Sequence, residues 1–179
     1  MLRLPISVSN APILHYHATR HTFISGRTVM SQTLVKLYVH LIFSTKHRLP
    51  LISPAIQPQL HAYMTGIVQN TGSKLVRIGG VEDHVHLLVL LSKTQTLADL
   101  LQVTKKESSK WFKTLGPQCA EFHWQDGYAG FSVSESAVET CIRYIDNQKK
   151  HHARITFQDE LRLLLKKHKV EYDERYIWE

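Results

Sequence analysis

Two histidines, His84 and His86, stand two residues apart in the stretch His84 to Leu91. On a strand, successive side chains alternate faces, so both imidazoles project from one side while Val85 turns to the other. Two nitrogen donors side by side make a bidentate platform for a divalent cation; a pair of structural histidines is the plainer alternative. A second constellation lies around residue 144. Val138, Cys141, Ile142 and Ile145 mark the buried face of a helix expected from near Ser134 to about Lys150. Tyr144 and Gln148 fall about 110° and about 70° from the centre of that face, on one flank, as i and i+4 neighbours. His151 joins them if the helix persists. That edge offers a phenol for nucleophilic attack beside an amide oxygen and an imidazole.

The elements that must position these residues are legible as periodicities. From Lys36, Leu37, Val39, Leu41 and Phe43 alternate with Tyr38, His40 and Ile42, a strand apolar or aromatic on both faces and therefore interior. His40 is read as a packed residue of that strand. Leu60, Tyr63, Met64, Ile67 and Val68 form a helical stripe that starts near Pro58 and stops at Gly72. Lys74 to Val81 is a second strand, His84 to Leu91 a third. Thr96 and Asp99 cap a helix that Gly116 and Pro117 stop. A short strand over Tyr128 to Val133 precedes the Tyr144 helix, and Phe157, Leu161, Leu164 and Leu165 mark a last amphipathic helix. The order predicts an α+β fold, a ferredoxin-like split βαβ antiparallel sheet with helices on one face. A nucleophile-bearing helix and a C-terminal helix follow it. The first and third strands, both buried on two faces, belong at its centre.

Composition narrows the class. The 179 residues carry a net charge of +7 and are 43% hydrophobic, ordinary for a globular domain. The longest apolar stretch, Leu87 to Leu91, is far short of a membrane helix, and two cysteines make no disulfide framework. Residues 1–81 hold eight Lys/Arg and no carboxylate, which favours a polyanionic partner. Cys119, His123, Cys141 and His151 lack the paired spacing of a zinc site. Residues 1–29 lack periodicity. Their composition also fits a transit peptide, but the simpler expectation is an extension upstream of a true start at Met30. A catalytic domain over 30–155 and a helical tail over 156–179 follow.

His84-Val85-His86 with Tyr144 and Gln148 resembles the single-tyrosine HUH transposases, in particular the insertion-sequence single-strand DNA transposases and their REP-associated relatives. The resemblance spans about residues 32–152. His40 to Arg48 is similar to the family's opening strand, Glu82 to Leu88 to its histidine segment, Trp124 with Gly127 and Tyr128 to the segment before the last strand. Tyr144 to Gln148 is similar to the nucleophile helix. The resemblance implies a bacterial cytoplasmic enzyme, associated with the nucleoid as it acts, that cleaves and rejoins single-stranded DNA at hairpin-bearing ends. Tyr144 would form a 5′-phosphotyrosine, and Mg²⁺ or Mn²⁺ held by His84, His86 and the Gln148 oxygen would polarise the phosphate. Lys149 and Lys150 would add positive charge beside the tyrosine.

The resemblance places Lys46, His47 and Arg48 near bound hairpin DNA. Lys105, Lys106, Lys110 and Lys113 share one helix face and serve equally well as phosphate contacts or as a solvated surface. A homodimer with the histidines of one subunit meeting Tyr144 of the other is expected. Gly127, Gly130, Ser132, Ser134 and Ser136 would let the nucleophile helix leave its own sheet, and two DNA ends need two sites. REP-associated relatives offer the alternative of a monomer with its tyrosine in cis. Two other readings share the fold. A non-catalytic nucleic-acid-binding module would leave the histidine and tyrosine spacings to chance, and a domesticated nuclease would keep the same site.

A chain beginning at Met30 should keep the melting temperature and activity of the full chain. Calorimetry on both checks this, and a large drop on truncation would make residues 1–29 part of the domain.

Overall fold

The computed structural model describes residues 33–178; the expectations for residues 1–29 lie outside them. The strands are β1 (Leu37–Ser44), β2 (Lys74–Gly80), β3 (His84–Leu91) and β4 (Ala129–Val133). Helix α1 (Gln57–Asn70) joins β1 to β2 and α2 (Leu97–Lys113) joins β3 to β4. Helices α3 (Val138–Asp146), α4 (Gln148–His152) and α5 (Phe157–Lys167) follow. The sheet order is β2-β3-β1-β4 with every neighbouring pair antiparallel, the ferredoxin-like arrangement. The two central strands are the two whose sequences are apolar on both faces. Among the described residues no helix is long and apolar enough to cross a membrane.

The sheet's two faces differ in chemistry. Leu41, Phe43, Val85, Leu87 and Val89 meet Leu60, Met64 and Val68 of α1 and Leu100, Leu101 and Phe112 of α2 in a dry core. Each such side chain stabilises the fold by about 1.5–3 kcal/mol. The opposite face carries His40, Ile42, His84, His86 and Leu88, since Ile42 pairs with His86 and Ser44 with His84. Helix α3 covers part of it, packing Val138 and Ile145 on Leu88. Helix α5 covers the rest, with Leu161 and Leu165 on Ile42 and Phe131, and Ile177 and Trp178 close the edge.

Local signals explain the helix ends. The Thr96 hydroxyl accepts the Asp99 backbone N–H at 3.1 Å at the start of α2, and Thr156 does the same for Asp159 at 3.2 Å at α5. The expected single helix from Ser134 to Lys150 is instead broken. A 3₁₀ turn at Glu135–Ala137 precedes α3, and Asn147 separates α3 from α4. Asn147 sits at φ −94°, ψ 10°, and its side-chain amide donates to the Arg143 carbonyl at 2.7 Å. An asparagine that bonds the backbone in this way competes with the helical ladder.

Helix α3 approaches β2 where that strand has no side chain. A β-carbon on Gly79 would lie 2.5 Å from the Ile145 carbonyl oxygen and 2.8 Å from its Cγ2. Gly79 is paired with His86, and Ile145 follows Tyr144, so this contact sets the height of the tyrosine above the histidines. Gly79→Val should therefore lift α3 and cost about 1–3 kcal/mol. Urea unfolding measures the loss, and an unchanged midpoint would refute the contact's role.

Candidate active site

His84 and His86 are fully buried at the start of β3. Each ring is oriented through Nδ1. His84 Nδ1 donates to Asp83 Oδ1 at 2.6 Å, and His86 Nδ1 lies 3.0 Å from His40 Nε2, diagonally across from β1. Burial holds His40 down to about 3, with His86 beside it adding to the effect. Burial likewise lowers His86 to about 4, against the pull of Glu160. With both rings neutral, a single N–H joins them in this hydrogen bond. Carried on His86 Nδ1, that proton leaves the His86 Nε2 lone pair facing inward. The Nε2 atoms of His84 and His86 and the Gln148 Oε1 are buried without a hydrogen-bond partner. Orphaned lone pairs on two imidazoles that Asp83 and His40 hold in place fit a divalent cation.

Helix α3 brings Tyr144 to the same place. Its ring lies 5.9 Å from that of His86 and 6.0 Å from that of His40, both edge-on. Its hydroxyl donates to Glu160 Oε1. Burial, then the carboxylate beside it, raises the phenol well above its ordinary range. Gln148, buried at the start of α4, donates its amide nitrogen to the same Oε1 at 3.0 Å.

The partner of both is Glu160 on α5, only 2% exposed. Burial opposes its charge, but the bond from His152, the nearby His86 ring and the Tyr144 hydroxyl hold it far below the usual carboxylate range. Its Oε2 lies 3.1 Å from His152 Nε2, 3.4 Å from His86 Nε2 and 3.8 Å from His84 Nε2. His84, His86, His152 and Glu160 offer donor atoms all within 4.8 Å of one another.

Tyr144, Gln148, His84 and His86 thus meet around one carboxylate within a single chain. This is the arrangement of the cis alternative, with the tyrosine and the histidines supplied by one chain. Only Ser134 and the 3₁₀ turn separate β4 from α3, and α3 folds back onto its own sheet. Glu160 and His152 are absent from the sequence reading. Glu160 had a signal: it occupies the i+3 position of the stripe Phe157, Leu161, Leu164, Leu165, an acid on an apolar face. His152 had none, because the Asn147 break changes the register of everything after it.

The basic residues separate into two groups. Lys105 is half-buried, and its ammonium donates to the carbonyls of Gln125, Asp126 at 2.9 Å and Gly127 at 3.1 Å. That corrects its reading as a phosphate contact: the charge is committed to holding the loop before β4. Lys106 is exposed and Lys110 pairs with Glu107 at 2.9 Å, both on α2, across the sheet from the histidines. Lys46 pairs with Asp126 at 3.3 Å, His47 is exposed, and Arg48 lies against Trp178 with its guanidinium 5.8 Å from the ring centre. Lys149 is exposed on α4, next to Gln148.

Four likenesses to known proteins bear on this arrangement. A family model described as IS200-like transposase matches residues 33–148. The chain is 25% identical over 118 residues to the ISDra2 transposase TnpA of Deinococcus radiodurans, covering 63% of this chain and 84% of that protein. A crystal structure of a transposase from D. radiodurans R1 superposes with a TM-score of 0.53 at 25% identity, covering 70% of this chain and 98% of the other. The structure of a REP-associated tyrosine transposase bound to a REP hairpin gives the same TM-score at 10% identity, covering 72% and 76%, a likeness of fold.

The buried histidines set an acid limit on stability. His61 on α1 is lowered by burial to about 4, as His86 is, and His40 lies lower still. An unfolded histidine titrates near 6.5. Below that pH the unfolded chain takes up protons that the folded chain refuses, so stability falls as the pH drops from about 6.5 toward 4. Urea midpoints should be lower at pH 5 than at pH 7, and His61→Leu, away from the site, should narrow the gap. Equal midpoints at the two pH values would overturn this account.

Proposed function

The chain belongs to the IS200-like transposase family, and from that premise we propose that it cleaves and rejoins single-stranded DNA at hairpin-marked ends with Tyr144 as nucleophile. The observation that carries the reading is the convergence of the Tyr144 hydroxyl and two orphaned imidazole nitrogens on one buried carboxylate. Tyr144 Oη attacks the phosphorus, the Oη–P bond forms and the bond from phosphorus to the 3′ oxygen breaks. The products are a 5′-phosphotyrosine and a free 3′-hydroxyl. The covalent link keeps the phosphodiester's energy, so a second 3′-hydroxyl can displace the tyrosine without ATP.

His84 and His86, with the Gln148 oxygen, would hold Mg²⁺ or Mn²⁺, whose charge supplies stabilisation of the phosphate oxygens. Asp83 and His40 fix the two imidazoles so that their Nε2 atoms stay turned inward. Gln148 and Glu160 fix the phenol's direction by sharing one bonding network with it. Lys149 and Lys150, exposed on α4 directly after Gln148, suit contacts to the DNA backbone. Hairpin recognition is proposed through the end of β1, where Lys46, His47 and Arg48 form a turn with left-handed backbone at His47 and Arg48.

Labelled single-stranded DNA carrying a hairpin should give a denaturation-resistant adduct that maps to Tyr144. Tyr144→Phe should bind the DNA and lose the adduct entirely. EDTA should abolish cleavage, and Mg²⁺ or Mn²⁺ should restore it. Gln148→Ala should be milder, about 10–100-fold. An adduct in the Phe variant, or full cleavage in EDTA, would sink the reading; DNA binding with no adduct from the wild type would favour a binding module.

Because the site is complete in one chain, mixing His86→Ala with Tyr144→Phe should recover no cleavage once subunit exchange has been demonstrated. Recovered cleavage would mean that two copies of the chain share their sites.

A further inference from the structure

The three imidazoles that face Glu160 Oε2 are tied at their far nitrogen, while His151 faces the other oxygen at 3.4 Å. His84 Nδ1 is bonded to Asp83, His86 Nδ1 to His40, and His152 Nδ1 to the Ile155 carbonyl at 3.0 Å. Each therefore turns Nε2 inward, and all three point at one atom, Glu160 Oε2, at 3.1, 3.4 and 3.8 Å. Metal-bound histidines are held in this way, with the outer nitrogen fixed by a carboxylate, a carbonyl or another acceptor. The spacings also fit. Four ligands at about 2.0–2.1 Å in a tetrahedron are separated from one another by roughly 3.3–3.4 Å.

The other carboxylate oxygen is already occupied. Glu160 Oε1 takes the Tyr144 hydroxyl and the Gln148 amide nitrogen, which leaves Oε2 alone to face the three rings. Three imidazoles and one carboxylate are a donor set for a borderline transition ion. Mg²⁺ prefers all-oxygen octahedral surroundings and keeps several waters.

We propose that His152 and Glu160 complete, with His84 and His86, a closed four-ligand site that takes Zn²⁺ in preference to Mg²⁺ and fastens α5 over Tyr144. The proposal rests on the reading of His84 and His86 as a metal platform, and deepens it. It makes α5, which lies beyond residues 33–148 matched by the family, part of the metal centre. A closed four-ligand set leaves no position for a phosphate oxygen. Gln148 could serve as a ligand only after Glu160 withdraws, which would also free the tyrosine hydroxyl.

The test is metal binding by the full chain, stripped of metal and then titrated with Zn²⁺ and, as a coloured substitute, Co²⁺. One ion should bind per chain. The Co²⁺ form should show the strong visible absorption of four-coordinate cobalt. Zn²⁺ should raise the melting temperature, and a hundredfold excess of Mg²⁺ should not displace it. Glu160→Gln and His152→Ala should each weaken binding by at least about 10–100-fold and lose the four-coordinate spectrum, with circular dichroism confirming that both variants fold.

A weak six-coordinate spectrum from the wild type would overturn the proposal, as would Mg²⁺ competing on equal terms. Loss of binding in His84→Ala with unchanged binding in Glu160→Gln would also overturn it while leaving the platform standing. The strand-transfer reading is scored separately by the Tyr144 adduct: no adduct alongside a four-coordinate cobalt spectrum would remove that reading and keep this one.

Discussion

An ionised carboxylate taken out of water costs several kcal/mol unless its surroundings return the interactions it loses. Glu160 is such a group, and the polar half of this molecule is arranged around it. Its two oxygens receive or face Tyr144 from α3, Gln148, His151 and His152 from α4, and His84 and His86 from β3. Three separate elements thus have their positions fixed by one side chain on a fourth. Removing one partner of a buried charge typically costs about 3–5 kcal/mol, because the charge left behind stays buried. The C-terminal helix is consequently a structural member of the site.

The same constraint explains why the sheet has two unlike faces. The face under α1 and α2 is closed by apolar side chains that need only volume and shape. The other face must satisfy buried nitrogen and oxygen atoms, so its contacts are directional. His40 and His86 meet diagonally across β1 and β3, a pairing that the antiparallel register permits and a one-residue slip would destroy. Gly79 lets α3 come close enough for Tyr144 to reach the carboxylate. Packing on one face holds the register, and the register in turn sets the geometry of the site on the other.

Charge on the surface follows the same division between fold and function. Lys105 shows that a lysine on a basic helix face can be consumed by carbonyls of a neighbouring loop. Lys149 and Lys106 are exposed, and of the two only Lys149 lies next to a residue of the carboxylate cluster. The count of basic residues in a sequence is therefore a poor guide to the number that can meet a polyanion. Those with no internal acceptor are the relevant ones.

Much of the architecture was legible along the chain because it depends on local repeats. Period-two alternation put His84 and His86 on one face and Val85 on the other, and the strand and helix order led to the ferredoxin-like sheet. Thr96 with Asp99 marked the start of α2, and the Tyr144 and Gln148 spacing marked a shared flank. The continuous helix expected through residue 150 was interrupted by the Asn147 side chain, whose choice between capping and ladder is made by its neighbours. Glu160, His152 and the commitment of Lys105 came only from the tertiary structure. Glu160 meets His86 across 74 positions of chain, and no periodicity relates residues so far apart. Their encounter is decided by the packing of α5 on Ile42 and Phe131, which the apolar stripe of α5 requires but cannot by itself aim.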